Sequence, residues 1–270
     1  MIDICLAVYN NLFWTKRFID SLYKSTYSDF NLYITDNGSS DDTYLWLKSL
    51  SYNNINIIKN EINLGCAKGW NLSLKKAQSE IIVLTQNDIQ FSKNWDKYLL
   101  SFLEENPEFS AVGSQEIENL DISQEDFDKL VESFKINSVK YNSFYIPCVM
   151  IKKEVFKKIG YFDENFIGGF YEDQDFIRRC AIAKIKYAQV LDSIVCHCYG
   201  RTSRYHAQID INKKYFLEKW ENWDDSEIKD YLIYYNDDKL SYLYNGMGKI
   251  KREFIKKELE KNNIKEKYIV

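Results

Sequence analysis

The chain has 270 residues, of which 45% are apolar and 28% charged, and a formal net charge of −4. That length supports one large core, or a core with a small appendage. The composition excludes a mainly disordered chain, and the acidic balance excludes a dominant nucleic-acid footprint, so no nucleic-acid partner is expected.

In chain order, Ile2 to Tyr9 reads as a buried strand and Phe13 to Lys24 as an amphipathic helix. Residues 30 to 35 form a second strand that ends at the turn Asp36-Asn37-Gly38. Ser39 or Ser40 is placed to cap a helix running to residue 50, with Asp41 and Asp42 favouring its positive end. Ile55 to Lys59 is a third strand, and Asn63-Leu64-Gly65 turns into a helix over residues 67 to 78. A fourth strand covers residues 80 to 85, before a helix from Lys93 to Glu105. This alternation predicts a mostly parallel α/β sheet flanked by helices. Further on, Ala111 to Ser114 and Ser143 to Met150 read as strands around a polar helical insertion at residues 119 to 135, and Asp175 to Ala183 as a helix. His197 lies in a late apolar run, and residues 204 to 270 read as a small, charged helical appendage to a catalytic domain over residues 1 to 203.

Cys5, Cys66, Cys148, Cys180, Cys196 and Cys198 mostly sit inside apolar runs, the pattern of buried free thiols in a reducing compartment. No apolar run approaches the ~20 residues that span a bilayer, and the start lacks a signal peptide's basic flank. A cytoplasmic protein is expected. The lysines of the appendage alternate with acids, as on a solvated helix, although a peripheral association with the inner membrane face stays open.

Carboxylates fall where apolar segments end: Asp36, Asp88 and the run Glu172-Asp173-Gln174-Asp175. Ligands of open α/β sheets gather outside the carboxyl ends of strands, so these acids are site candidates. Carboxylates with one imidazole and no basic cluster suggest a divalent cation holding a phosphate-bearing substrate.

The series Val8-Tyr9-Asn10, Thr35 to Thr43, Asn63-Leu64-Gly65, Gln86-Asn87-Asp88 and Glu172-Asp173 resembles glycosyltransferase family 2 over roughly residues 2 to 203. The resemblance implies the Rossmann-like GT-A fold and an inverting transfer from a nucleotide sugar, with UDP the default and dTDP a rival. It assigns Asp36 to the N–H of a uracil or thymine ring, with Val8, Tyr9 and Asn10 lining the same base and ribose. Asn63, Gly65 and Asn87 fall in the matching nucleotide segments, and Lys68 is a candidate for base or phosphate, or a surface lysine. Asp88 and His197 would hold Mn2+ or Mg2+; the family's Asp-x-Asp reads Gln86-Asn87-Asp88 here, without its first acid. Asp173 matches the base, with Glu172 orienting the acceptor or capping the helix. Gly169 gives backbone freedom beside the sugar and acceptor, and Tyr171 offers a face to a sugar ring. Acceptors of this class are glycans in polysaccharide biosynthesis, lipid-linked glycans or proteins. A catalytically retired sugar-nucleotide or glycan binder is the competing reading. A nucleotidyltransferase would need a Gly-rich basic loop that Tyr9-Asn10-Asn11-Leu12 does not supply.

Overall fold

A computed structural model describes residues 1–134, 139–141, 146–198, 206–222 and 252–265. Its first half is the expected alternation. Strands β1 (Ile2–Val8), β2 (Phe30–Asp36), β3 (Ile55–Lys59) and β4 (Ile81–Thr85) are separated by helices α1 (Leu12–Ser25), α2 (Thr43–Ser49) and α3 (Cys66–Leu74). All three pairings among these strands are parallel, in the order β3-β2-β1-β4. The parallel register places the ends of β1 and β2 side by side, with Val8 opposite Asp36.

Beyond β4 the sheet becomes mixed. A three-residue strand, β5 (Ile89–Phe91), precedes α4 (Trp95–Glu105) and β6 (Phe109–Glu118). Then come α5 (Gln124–Glu132), β7 (Val139–Tyr141), β8 (Cys148–Lys152), α6 (Lys153–Ile159), α7 (Glu172–Ile182) and β9 (Lys186–His197). The sheet continues β4-β8-β6-β9-β5, with β7 also on β9; β8 runs antiparallel to both β4 and β6, and β6 parallel to β9. The parallel expectation therefore holds for the first half, and the reversal at β8 curls the second half around it. The helix expected over residues 119 to 135 is shorter, because β6 runs on to Glu118 and the Ser123 hydroxyl accepts the Asp126 N–H at 3.1 Å to start α5. Strand β8 starts at Cys148, and residues 143–145 of the strand expected from Ser143 lie outside the described residues.

Side-chain alternation along β1 feeds two cores, one on each face. Ile2, Ile4, Leu6 and Val8 join Phe18, Leu22, Trp95, Leu99 and Phe102 of α1 and α4, whereas Cys5 joins Trp70, Leu74, Val155, Phe156 and Phe176 of α3, α6 and α7. The C-terminal segment contributes α8 (His206–Trp220) and α9 (Arg252–Lys261). Ile255 and Leu259 of α9 pack with Phe127 and Leu130 of α5 and Ile117 of β6, so this segment shares a core with the sheet. Trp220 packs instead beside α7, its indole N–H donating to Asp175 Oδ1 at 3.1 Å, and Trp223 lies outside the described residues. All six cysteines are free thiols, and all but Cys66 are buried. Among the described residues no helix is long and apolar enough to cross a membrane.

Candidate active site

Parallel strands that share a direction share an edge, and that edge carries the site. Asp36, at the end of β2, is fully buried; its Oδ1 accepts the Ser39 N–H at 3.1 Å, while Oδ2 is buried with no hydrogen-bond partner in the protein. A buried, unsatisfied carboxylate oxygen is costly to keep, and a ring N–H would satisfy it. Ser39 and Ser40 do not cap α2, which lacks a side-chain cap. Instead, Ser39 Oγ accepts the Asn10 N–H at 2.8 Å, and Asn10 Oδ1 accepts the Ser40 N–H at 2.7 Å. The serines thus fasten the loop after β1 to the loop after β2, and Asn10 sits at φ 54°, the left-handed region that asparagine tolerates. Val8 adds its carbonyl, which accepts the Asn37 N–H at 2.7 Å, and Tyr9 is half-buried beside it.

Asn37, read in the sequence only as a turn residue, organises the next loop. Its Nδ2 donates to Asn63 Oδ1 and the Gly65 carbonyl, and its Oδ1 accepts from Asn60 and the Leu64 N–H. Gly65 has φ 85°, and a Cβ there would lie 2.8 Å from the Gly168 nitrogen, so only glycine allows the two loops this close. The Cys66 N–H donates to the Gly168 carbonyl, joining the loop after β3 to the segment that leads into α7. Lys68 is exposed on the first turn of α3, and its charge adds to the Asn71 hydrogen bond and Lys75 in holding the Glu164 carboxyl low. The buried carboxamide of Asn87 donates to Thr15 Oγ1 at 3.0 Å, anchoring the turn after β4 to α1.

The short strand β5, missed in the sequence because three residues carry no periodicity, brings Asp88 and His197 together. It pairs antiparallel with β9, Ile89 opposite His197, and the Cys198 N–H donates to the Asp88 carbonyl. His197 Nε2 lies 3.3 Å from Asp88 Oδ1, and its Nδ1 lies 3.0 Å from Glu116 Oε1. Burial opposes charge on this ring, but Asp88 and then Glu116 outweigh it and hold His197 up to about 10. Glu116 also escaped the sequence reading. Its signal was an acid in the apolar strand β6, and the carboxylate on the far nitrogen fixes the orientation of Nε2. Among the described residues no set of three His, Cys, Asp or Glu side chains converges as a metal cage. The described residues therefore offer the Asp88 and His197 pair, a donor set that would suit a divalent ion completed by phosphate oxygens and water once the ion displaces the ring proton.

Helix α7 opens three residues earlier than its sequence pattern suggests, at Glu172, so Glu172, Asp173 and Asp175 all fall in its first turn. The three part company there. Asp175 is fully buried and structural: Arg179 Nε lies 2.8 Å from its Oδ2, and Lys219 and Trp220 of α8 reach its Oδ1. Glu172 is buried with Oε2 lacking a partner, and burial followed by the Asp173 charge pushes its carboxyl up. Asp173 is only partly buried, accepts the Gln174 N–H at 2.8 Å, and is itself raised by burial. Cys66 ties this pair to the metal-type pair: burial, then the charges of Glu172, Asp173 and Asp88, push its thiol well above the usual range. A Cβ on Gly169 would lie 3.1 Å from the Cys66 sulfur. Phe170 and Tyr171 both hold positive φ, at 76° and 72°. Each costs ~1–3 kcal/mol in a non-glycine residue, a strain that persists only where neighbours enforce it. The Tyr171 ring lies against Phe216 of α8, with centroids 5.5 Å apart.

The geometry is thus a nucleotide-type cradle, an acid–imidazole pair and a raised carboxylate pair along one sheet edge. Comparison with known proteins agrees with it. Glycosyl transferase family 2 matches residues 3–191, and the chain belongs to that family. It is 29% identical over 120 residues to the UDP-Glc:alpha-D-GlcNAc-diphosphoundecaprenol beta-1,3-glucosyltransferase WfgD of Escherichia coli, covering 44% of this chain and 47% of that protein. Staphylococcus aureus TarS in complex with UDP-GlcNAc superposes with a TM-score of 0.63 at 17% identity, over 85% of this chain and 71% of that one. The mannosyltransferase PcManGT of Pyrobaculum calidifontis, in complex with GDP-Man and Mn2+, gives 0.58 at 17% identity, over 80% and 61%. At such identities the likeness establishes the fold, GT-A. The chain spans 23% to 55% of the length of the uncharacterized glycosyltransferases of Rickettsia bellii and Haemophilus influenzae that it matches.

Proposed function

We propose that this protein is an inverting glycosyltransferase that moves a sugar from a nucleoside-diphosphate sugar, UDP-linked by preference, to a hydroxyl of a glycan or lipid-linked glycan. The observation that carries the donor class is the buried Asp36 carboxylate with one oxygen held by Ser39 and the other unsatisfied. Uracil and thymine present one N–H between two carbonyls, which such an oxygen accepts. UDP-GlcNAc bound to TarS and the UDP-Glc donor in the name of WfgD support the same choice. The lipid-linked acceptor in that name supports a site of action at the cytoplasmic membrane face, in polysaccharide assembly.

In the transfer, the acceptor oxygen forms a bond to the anomeric carbon as the bond from that carbon to the diphosphate oxygen breaks on the opposite face. The hydroxyl proton passes to Asp173, the less buried acid of the pair, and the electron pair leaves on the diphosphate. Glu172 orients the acceptor from the buried side. Asp88 and His197 would hold Mn2+ or Mg2+, which supplies neutralising charge to the diphosphate. Glu116 keeps His197 in register for that contact. Gly169 and Tyr171 flank the sugar, and Gln86 leaves the site one acid short of the family pattern.

Titration with nucleoside diphosphates and their sugars, read by calorimetry and melting temperature, tests the donor assignment. UDP should bind and raise Tm. Asp36→Ala should weaken that binding ~10–100-fold, the loss of a hydrogen bond to a charged group, and should act through KM rather than kcat. A folded Asp36→Ala protein with unchanged UDP affinity would reduce Asp36 to a turn residue. Tight donor binding with no turnover in the presence of acceptor glycans and Mn2+ would favour the retired binder.

A further inference from the structure

The loop from Asp163 to Tyr171 is held by α8 at both ends and in the middle. Lys219 Nζ lies 2.6 Å from Asp163 Oδ2 and 2.7 Å from Asp175 Oδ1, one cation bridging the residue that opens the loop and the first turn of α7. The Tyr215 hydroxyl donates to Asp163, and the Trp220 indole N–H donates to Asp175. Between these anchors, the fully buried Asn212 faces the loop backbone. Its Oδ1 accepts the Ile167 N–H at 2.9 Å, and its Nδ2 donates to the carbonyls of Ile167 at 2.9 Å, Gly169 at 2.7 Å and Phe170 at 3.1 Å. Those carbonyls belong to the residues just before and within the left-handed pair Phe170 and Tyr171, and Glu172 and Asp173 follow directly.

We propose that Asn212 is a positioning residue, through which α8 holds the loop in the left-handed conformation that presents Glu172 and Asp173 to the acceptor. A carboxamide suits the task because one planar group both accepts an N–H and donates toward several carbonyls. No other neutral side chain of that size offers two N–H donors beside a carbonyl acceptor. The C-terminal segment is then part of the transfer machinery, although none of its residues needs to touch the sugar. This rests on the proposed function for its catalytic readout and on the fold alone for its structural one.

Three proteins test it: wild type, Asn212→Leu, which keeps the branched heavy-atom skeleton without the hydrogen bonds, and Asp96→Ala. Asp96 is a buried clamp that accepts the Tyr27 and Ser28 N–H groups next to α4, so its loss costs stability outside the site. Asn212→Leu should lower kcat for UDP-sugar turnover, read as UDP release, ~10²-fold, the scale of an ångström-level misplacement. Its KM for donor should stay near wild type. Asp96→Ala should lower Tm and leave kcat unchanged. An Asn212→Leu protein with wild-type kcat, or a fall in kcat matched by Asp96→Ala, would overturn the proposal. Residue-level hydrogen exchange on the wild type gives an arm that needs no variant and no substrate: the Ile167 amide should be protected as strongly as the Asp175 amide of α7, which donates to the Tyr171 carbonyl at 2.9 Å. Rapid exchange at Ile167 would also overturn it. A wild type that releases no UDP from any donor would remove the proposed function, while the exchange result would still decide the strap.

Discussion

Asp173→Asn should lower kcat ~10²-fold or more while leaving UDP affinity near wild type. The amide keeps the size of the carboxylate and can still accept the Gln174 N–H. What it loses is the capacity to take the acceptor proton. Burial already works against the charged form of Asp173, so removing that charge should not lower Tm. Glu172→Gln should hurt less, since Glu172 is the more buried acid and its proposed part is to orient the acceptor. The pH profile follows from the same environment. Both carboxyls are shifted upward and titrate as a pair, so the base becomes ionised only above the ordinary carboxylate range of ~4. Activity should therefore rise with pH through an apparent pKa above that range and fall away on the acid side. An acidic limb at the ordinary carboxylate value, or near-normal turnover by Asp173→Asn, would remove the assignment.

Asp88→Ala should abolish turnover, and EDTA should do the same to the wild type, with Mn2+ or Mg2+ restoring it. The reason is the size of the donor set. Of the Asp88 and His197 pair, losing the carboxylate leaves a single imidazole, whose far nitrogen is already engaged by Glu116. His197→Ala should weaken the apparent metal affinity and leave some activity at high Mn2+, because a hard cation tolerates water in place of imidazole better than in place of carboxylate. Glu116→Gln keeps a hydrogen-bonding group near His197 Nδ1 but loses the charge, and should cost ~10–100-fold in metal affinity. Full activity in chelator would end the metal role of Asp88 and His197 together.

The sequence was legible where structure is regular and chemistry local. The first four strands and the helices between them follow from apolar runs and turn residues, because parallel βαβ units leave few topologies to choose from. Asp36, Asp88 and Glu172-Asp173 were visible as strand-end or helix-start acids for the same reason. What stayed hidden depends on long-range register. Glu116 lies 81 residues before His197 and meets it only because β6 and β9 pair, after a register shift between Ser114 and Gln115. Ser39 and Ser40 looked like helix caps, since capping is their commonest use; here the loop after β1 takes their polar atoms first. Asn87 sat inside the motif and still turned its side chain toward Thr15, a choice that α1 packing makes and no local pattern records. Asn212 is one polar residue on a charged helix, and its importance becomes visible only once the loop it holds is known to be strained.

The most direct measurement is the anomeric configuration of the first product, followed by proton NMR from an α-linked UDP-sugar before any mutarotation. A single displacement with Asp173 as base predicts a β-configured product, whether the acceptor is a glycan hydroxyl or water. A product that retains the α configuration would contradict the account, because one in-line attack cannot preserve the centre.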